Sequence, residues 1–195
     1  MLIRFFDLLF SLLGLIFGFP VMLILTLVSL LDTGSPIFRQ KRVGRHKKPF
    51  TLVKFRTMKK NTVAVATHLA NVSDITLFGG FLRKTKLDEL PQLWNVLKGE
   101  MSLVGPRPCL FSQEDLISER EKRRVLNARP GITGLAQLNG IDMSTPVLLA
   151  ETDEKMLATL GVKDYFRFIF MTIVGKGAGD RVKRGAPGGA ENGNT

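Results

Sequence analysis

The segment LLFSLLGLIFGFPVMLILTLVSLL, residues 8–31, contains no charged residue and is bounded by Asp7 and Asp32. As a helix it would be roughly 36 Å long, enough to reach across a hydrocarbon core of ~30 Å. A cleaved secretory signal has a shorter apolar stretch, of ~7–15 residues, and is not followed by dense positive charge. The sequence therefore predicts a retained membrane segment.

Pro20 interrupts this segment near its middle, where a proline removes a helical hydrogen bond and clashes with the preceding turn. Two geometries compete. One is a kinked helix that spans the membrane, and the other is a helix-break-helix that enters and leaves on the same face, with Pro20 at the membrane turn. Positive residues flank both ends, from Arg4 and from Arg39 onward, and cytoplasmic flanks are the positive ones. We expect the re-entrant form, with residues 1–32 as the membrane segment.

The remaining chain is strongly basic and contains one cysteine. The 28 Lys and Arg against 17 Asp and Glu give a net charge of +11, so the expected partner is anionic: a phosphorylated substrate, acidic lipid or nucleic acid. Cys109 cannot form an internal disulfide, which fits a reducing cytoplasm. Residues 33–174 have the length of one catalytic domain, and residues 175–195 have the composition of a flexible, basic and glycine-rich tail.

The local patterns predict a mostly helical α+β fold. Two short apolar stretches, residues 36–38 and 50–55, are joined by a basic link and predict a short basic β-hairpin. A helix ending at Gly99 would carry one apolar face, formed by Leu90, Leu93, Trp94 and Leu97.

Two further helices are expected in the carboxyl-terminal half. Residues 113–127 have the charge pattern of a solvated helix, with Ser112 and Asp115 as its cap. Residues 165–174 are apolar and aromatic among basic residues, which favours an interfacial amphipathic helix, although a core helix has the same pattern.

Asp88 and Glu89 lie just before Pro91, a residue that is favoured at the first position of a helix. The backbone donors and positive dipole of a helix start would keep a carboxylate ionised and would suit a bound phosphate. First-turn acids are also ordinary helix stabilisers, so this position alone does not establish chemistry.

Two arginines in stiff turns favour a functional role for the Asp88–Glu89 pair. Arg107 lies in GPRP, residues 105–108, and Arg129 lies in RPGITG, residues 129–134. Prolines in a turn reduce the entropy that is lost when a guanidinium is held against a phosphate. Turn formation explains the prolines and glycines of these motifs, but it does not require arginine.

Four motifs in this order resemble the bacterial sugar transferases, specifically the small monotopic phosphoglycosyl transferases that begin lipid-linked glycan synthesis. They are FTLVKFRTM at 50–58, LDELPQLWNVLKG at 87–99, GPRP at 105–108 and RPGITGLAQ at 129–137. The match runs from the membrane helix to about Gly140. The chain departs from the family pattern at Phe19, where the family often has a serine, and again after Gly140.

The resemblance implies a two-step transfer of a phosphosugar from a UDP-sugar to polyprenol (undecaprenyl) phosphate. Asp88 would attack the sugar-bearing phosphorus, release UMP and hold the phosphosugar until polyprenol phosphate displaces it. Glu89 would be its catalytic partner and would hold Mg²⁺, the implied cofactor. The candidate substrate and phosphate ligands are Arg83, Arg107, Arg129, Lys54 and Arg56.

The resemblance also implies a location at the bacterial inner membrane, with the catalytic domain on the cytoplasmic face, in contact with inner-membrane lipids and not with nucleic acid. The alternatives are a membrane-anchored nucleic-acid-binding protein, which the basic hairpin would serve, and a noncatalytic membrane scaffold. Both leave the Asp88–Glu89 pair unexplained. The absence of a dinucleotide-binding glycine pattern, a Walker loop and a nucleophile elbow disfavours hydride transfer, ATP-driven chemistry and hydrolase function.

Overall fold

The computed structural model of the chain describes residues 2–60, 62 and 72–175, which form a mostly helical α+β fold. The predicted flexible tail lies outside the described residues, except for Gly175. The helices are α1 (Leu2–Thr33), α2 (Leu77–Thr85), α3 (Gln92–Leu97), α4 (Glu114–Lys122), α5 (Leu135–Leu138), α6 (Pro146–Thr159) and α7 (Val162–Ile173). The strands are β1 (Ile37–Val43), β2 (Pro49–Phe55), β3 (Ser102–Val104) and β4 (Gly131–Thr133).

Helix α1 is continuous and passes through Pro20. The predicted interruption of the helix at Pro20 is therefore absent from this segment, because a proline removes one backbone hydrogen bond and the turns on either side keep theirs. Among the described residues, α1 is the one helix long and apolar enough to cross a membrane, and an 18-residue window within it has a mean hydropathy of 2.6. Much of its surface exposes large apolar side chains, among them Leu12, Ile16, Phe17, Ile24 and Leu27.

The amino end of α1 is held to the domain by a buried carboxylate. Asp7 is 2% exposed, and its Oδ1 accepts three hydrogen bonds, from the Ser102 hydroxyl (3.0 Å), the Leu103 N–H (2.9 Å) and the Tyr165 hydroxyl (3.0 Å). Arg4 lies 3.7 Å from the other oxygen of Asp7 and compensates its charge. Burial, together with the Asp7 charge, raises the pKa of Tyr165 far above its ordinary value, so the phenol remains a hydrogen-bond donor.

The carboxyl end of α1 contacts the same domain. Leu25 packs with Phe55 of β2 and Leu82 of α2 in one buried cluster. The Asp32 carboxylate accepts a hydrogen bond of 2.6 Å from the Thr76 hydroxyl, which caps the start of α2. Both ends of α1 therefore lie against one domain.

Strands β1 and β2 pair antiparallel along the whole of β1. The strand β1 continues to Val43, well beyond the end at Phe38 that the sequence predicted. Its basic residues did not indicate a strand, but Arg39 and Lys41 are exposed on one face while the backbone pairs with β2.

Asn95 joins α3 to the edge of β2. Its Oδ1 accepts from the Val53 N–H at 3.1 Å, and its Nδ2 donates to the Thr51 carbonyl at 2.8 Å, so the amide replaces a neighbouring strand. The predicted apolar face of this helix is only partly buried. Trp94 is 55% exposed, whereas Asn95 and Val96 are fully buried.

Strands β3 and β4 form a parallel pair in which Ser102 lies opposite Gly131. Just beyond β3, the backbones of Gly105 and Gly131 are in direct contact. A Cβ on Gly131 would lie 2.0 Å from the Gly105 nitrogen, so no side chain fits there. The two turns that carry arginine, residues 105–108 and 129–134, are thus packed directly against each other.

Helix α4 is shorter than the predicted helix over residues 113–127, because Arg124 adopts the left-handed conformation with φ of 56° and a separate 3-10 turn follows. The predicted cap from Ser112 and Asp115 is wrong. The residue that precedes the helix is Gln113, whose side chain instead accepts a hydrogen bond of 2.9 Å from the Leu110 N–H.

Helix α7 has one buried and one exposed apolar face. Tyr165 and Phe168 lie in the core with Val104, whereas Phe170 is 67% exposed and Ile173 is 78% exposed. One face of α7 is therefore that of a core helix. The other face is apolar and exposed, as expected for an interfacial helix that contacts lipid.

Candidate active site

The adjacent carboxylates Asp88 and Glu89 lie on a 3-10 turn, Leu87–Glu89, between α2 and α3. Lys86 enters this turn in the left-handed conformation, with φ of 59°. The turn packs against β2 and α2, and Asp88 is 4% exposed. The pair therefore precedes α3 directly, although α3 begins at Gln92 and not at the proline before it.

Arg107 forms an ion pair with this turn. Its Nη2 donates a hydrogen bond of 3.0 Å to Glu89 Oε1, and both side chains are largely buried. A charge in a partly dry site acts more strongly on a neighbouring ion than a charge in bulk water does. The turn at residues 105–108 thus supplies positive charge beside the carboxylate pair, as a phosphate site requires.

Arg107 is held in turn by a buried arginine that the sequence analysis missed. Arg120 Nη1 donates to the Arg107 carbonyl at 2.8 Å, and its Nε and Nη2 donate to Asp153 Oδ2 at 3.0 and 2.7 Å. The side chains of Arg120 and Asp153 are 2% and 1% exposed. Burial raises the pKa of Asp153 above its ordinary value, and Arg120 only partly offsets that rise. No local pattern signals this pair, because its members are 33 positions apart.

Arg83 extends from α2 toward the end of β2. Its Nε donates a hydrogen bond of 2.8 Å to the Thr57 hydroxyl. The helix approaches this point closely because Gly79 has no side chain, and a Cβ there would lie 2.0 Å from the Thr57 carbonyl oxygen.

Lys86 follows directly after α2. Burial lowers the pKa of Lys86 below its ordinary value, and the Glu89 carboxylate only partly offsets this effect.

Lys54 and Arg56 both lie over the ring of Phe38. The Lys54 Nζ is 5.9 Å and the Arg56 guanidinium carbon is 5.4 Å from the ring centroid. Arg56 Nε also donates to the Ser35 carbonyl at 3.0 Å, which places it beside the carboxyl end of α1. Lys54 is 7% exposed and belongs to β2, the strand against which the Leu87–Glu89 turn packs.

Arg129 lies in a cleft of about 270 Å³, which is also lined by Arg4, Asp7 and Arg45. Its Nε donates a hydrogen bond of 2.9 Å to the Gly99 carbonyl. Burial lowers the pKa of Arg129 below its ordinary value, and the positive charges of Arg4 and Arg45 lower it further. The structure therefore brings Arg107 to the carboxylate pair and gives Arg129 a different set of charged neighbours.

The carboxylate pair has the donor chemistry that Mg²⁺ prefers. This ion takes oxygen ligands and is commonly held by one or two carboxylates together with substrate phosphates and water. Within the described residues, no group of three or more His, Cys, Asp or Glu converges as a metal site. Glu89, the predicted ligand, has the donor chemistry for an ion that takes most of its ligands from a bound diphosphate and water.

Comparison with known proteins identifies similar sequences. The sequence model of the family described as bacterial sugar transferase matches residues 1–175. The uncharacterized sugar transferase EpsL of Bacillus subtilis is 50% identical over 111 residues, which cover 56% of this chain and 54% of that protein. The undecaprenyl-phosphate galactose phosphotransferase of Salmonella typhimurium is 40% identical over 164 residues, 74% of this chain and 34% of that protein.

A third relative is the UDP-glucose:undecaprenyl-phosphate glucose-1-phosphate transferase of Klebsiella pneumoniae. It is 43% identical over 139 residues, which cover 69% of this chain and 30% of that protein. The chain thus spans about half the length of the Bacillus protein and about a third of the other two.

Proposed function

Because this chain belongs to the bacterial sugar transferase family, we propose that it transfers a sugar phosphate from a UDP-sugar to undecaprenyl phosphate at a bacterial membrane. The names of its relatives include both kinds of substrate. The observation that carries the proposal is the adjacent pair Asp88–Glu89, in which Glu89 forms an ion pair of 3.0 Å with Arg107. The product would begin a lipid-linked glycan, such as an O-antigen, a capsule, an exopolysaccharide or the glycan of a glycoprotein.

Asp88 is the nucleophile of the first step. One carboxylate oxygen attacks the phosphorus that bears the sugar, the bond from that phosphorus to the bridging oxygen breaks, and UMP leaves with the oxygen. The product is an aspartyl phosphosugar, a mixed anhydride that is reactive enough to transfer its phosphosugar onward.

Undecaprenyl phosphate completes the transfer in the second step. An oxygen of its phosphate attacks the same phosphorus, the bond to the Asp88 oxygen breaks, and the carboxylate is regenerated as the lipid diphosphosugar leaves. The two nucleophiles are a carboxylate and a phosphate, groups whose ordinary pKa values lie below neutral pH. The site therefore needs no separate general base.

The cations around the turn stabilise the negative charge of the reacting diphosphate. Arg107 contacts Glu89, whereas Arg83 belongs to α2 and Lys54 to β2, the two elements that pack against the turn. Mg²⁺ held through Glu89 would neutralise the diphosphate and support the leaving UMP. Arg107 also orients Glu89 through their ion pair.

The membrane arrangement that we propose is re-entrant, with α1 entering and leaving on the cytoplasmic face of the inner membrane. Asp7 and Asp32, near the two ends of α1, both bind the domain. A spanning helix would separate its ends by a hydrocarbon core of ~30 Å, so that one end could not contact a domain on a single face. The basic residues that follow α1 fit a cytoplasmic flank. Pro20, which lacks a backbone donor, is the expected point of bending.

Intact-protein mass spectrometry tests the nucleophile. Detergent-solubilised protein is incubated with Mg²⁺ and each of a panel of UDP-sugars, and its mass is recorded before and after undecaprenyl phosphate is added. The wild type should gain the mass of one phosphosugar and lose it again, whereas Asp88→Asn should gain none because an amide is not an anionic nucleophile. Asp115→Asn, the same change at an exposed position of α4, should behave as the wild type does.

Three results would contradict the proposal. Lipid product formed by Asp88→Asn would mean that another residue, or no residue, carries the phosphosugar. Neither adduct nor product with any UDP-sugar would favour the noncatalytic scaffold. Affinity for nucleic acid that falls steeply with salt and does not respond to Mg²⁺ would favour the nucleic-acid-binding alternative.

A further inference from the structure

The cleft that contains Arg129, here called the arginine cleft, is separate from the carboxylate turn. It lies between the amino end of α1, the turn that joins β1 to β2, the segment before β4, and the junction of α6 with α7. Its volume is about 270 Å³. The lining residues that matter here are three arginines, Arg4, Arg45 and Arg129, and three apolar residues, Ile3, Leu157 and Leu160.

Two of these arginines are each held through Nε. Arg45 Nε donates to the Asn127 carbonyl at 2.7 Å, and Arg129 Nε donates to the Gly99 carbonyl at 2.9 Å. In the part of the chain that the structure describes, the Nη nitrogens of both side chains have no hydrogen-bond partner. Each side chain is therefore fixed in place and retains the donors that bind a phosphate.

Positive charge in the arginine cleft exceeds negative charge. Asp7 is the acid that lines the cleft, and its Oδ1 already accepts three hydrogen bonds from the domain. Arg4 lies 3.7 Å from Asp7 and donates to backbone carbonyls of α3, including that of Val96. The positive charges of Arg45 and Arg129 then repel each other, and a bound anion would offset this repulsion.

The apolar part of the wall indicates what carries the anion. Ile3 belongs to α1, and its neighbours Leu2 and Phe5 are 62% and 60% exposed, so the cleft borders the apolar surface of that helix. A small inorganic ion gains nothing from such a surface. A lipid would place its phosphate between the arginines and its hydrocarbon chain along α1.

We propose that the arginine cleft binds the phosphate group of a membrane lipid. This inference goes beyond the proposed transferase activity and does not depend on it, since it involves neither Asp88 nor a sugar donor. The phosphate of such a lipid would contact the amino end of α1, the hairpin turn and the segment before β4 at the same time.

Native mass spectrometry of the full chain in neutral detergent tests the proposal. Delipidated protein is titrated with phosphatidylglycerol, and a diacylglycerol with the same chains but no phosphate gives the background. The wild type should retain one phosphatidylglycerol molecule. Arg45→Gln and Arg129→Gln should each weaken this binding by about tenfold, since each removes hydrogen bonds to a charged group.

Two variants serve as controls in the same titration. Arg39→Gln removes the same charge from an exposed position on β1 and should change the affinity by less than about twofold, as expected for a screened surface charge. Asp88→Asn should bind the lipid as the wild type does, so that failure of the transferase reaction is distinguished from failure of this site. Because Arg45 is exposed, Arg45→Gln should unfold at the wild-type temperature, which circular dichroism checks.

Equal binding of phosphatidylglycerol by the wild type, Arg45→Gln and Arg129→Gln would overturn the proposal. Equal binding of the diacylglycerol would do so too, because it would show that the phosphate is not recognised. A third result would also overturn the lipid assignment. In it, inorganic phosphate binds the wild type but not Arg129→Gln, and phosphatidylglycerol binds neither protein. The cleft would then be a site for a soluble phosphate.

Discussion

Arg120 connects the interior of the fold to the candidate active site through a single guanidinium. Two of its nitrogens bind Asp153 and the third binds the Arg107 carbonyl. A buried ion pair adds little net stability compared with an apolar pair, but the loss of one partner leaves a buried charge without compensation. Arg120 therefore affects both stability and the position of Arg107, and these two effects can be separated.

Arg120→Met should lower the free energy of unfolding by about 3–5 kcal/mol, because Asp153 is left buried without a counter-charge. Denaturant unfolding in detergent, followed by circular dichroism, measures the loss. Arg123→Met is the matched control, since Arg123 makes its ion pairs with Glu119 and Glu151 near the surface, and it should lose far less. Similar losses in the two variants would contradict this account.

The same prediction extends to the double variant Arg120→Met with Asp153→Leu. Much of the lost stability should return, because no charge then remains buried. The turnover number kcat should be low in Arg120→Met and equally low in the double variant, because neither has a guanidinium that holds the Arg107 carbonyl. Recovery of both stability and kcat would mean that Arg120 does not position Arg107.

The sequence indicated some of these residues and could not indicate others. Asp88 was identified as a candidate at a predicted helix start and Arg107 in a turn stiffened by prolines, and the roles that the family resemblance implies for them stay predictions. Arg120 lies in a charged segment that reads as a solvated helix face, and only the packing of α4 on α6 buries it. For Arg129, the motif predicted a phosphate ligand, but the residues that surround it come together only in the fold.

Among the elements, α2 joins the membrane helix to the candidate site. Its cap, Thr76, donates to Asp32 of α1, and Gly79 lies against the backbone of Thr57. Arg83, one turn farther along, bonds to the Thr57 hydroxyl. Any displacement of α2 would therefore change the contact with α1 and the Arg83 hydrogen bond together.

Gly79→Ala should lower the free energy of unfolding by about 1–3 kcal/mol and should also lower kcat/KM, because the new Cβ meets backbone atoms that no rotamer change can move. Gly80→Ala is the matched control. A Cβ at Gly80 has no atom within 4 Å, and alanine in a helix is more stable than glycine by about 0.5–1 kcal/mol. Thermal unfolding and activity measured in parallel check both; if Gly79→Ala behaves like Gly80→Ala, the close approach has no role.

Elements were predicted best where the signal extends over many residues. The absence of charge over residues 8–31 identified α1, and the helix continues through Pro20 because one missing hydrogen bond does not end a long helix. The early end of α4 depends on the left-handed conformation of Arg124, which its residue type does not indicate. The parallel pair β3–β4 was not foreseen, because strands of three residues carry no periodic pattern.

At the scale of the whole molecule, charge and apolar surface combine. The chain carries a net charge of +11, and its longest helix exposes apolar side chains along much of its length. An anionic membrane surface satisfies both properties at once, because it offers negative head groups beside hydrocarbon. The contacts at both ends of α1 support the re-entrant geometry that we propose.

Leu2→Cys and Arg39→Cys, on opposite sides of the apolar segment, should both react with a membrane-impermeant thiol reagent in inverted inner-membrane vesicles, and neither should react in intact spheroplasts. The native Cys109 should not interfere, because it is fully buried and burial raises the pKa of its thiol. Labelling after detergent lysis confirms that each cysteine is reactive. If Leu2→Cys reacts only in spheroplasts, α1 spans the membrane and the re-entrant proposal is wrong.

The contact between Gly105 and Gly131 has a genetic consequence. A side chain at either position would meet backbone nitrogen, carbon and oxygen atoms of the other turn at 2.0 to 3.2 Å. A clash with a side chain can be relieved when a smaller residue replaces it, but no substitution removes a backbone atom. A missense change at either glycine should therefore have no compensating mutation at the other. We expect related sequences to retain glycine at both positions.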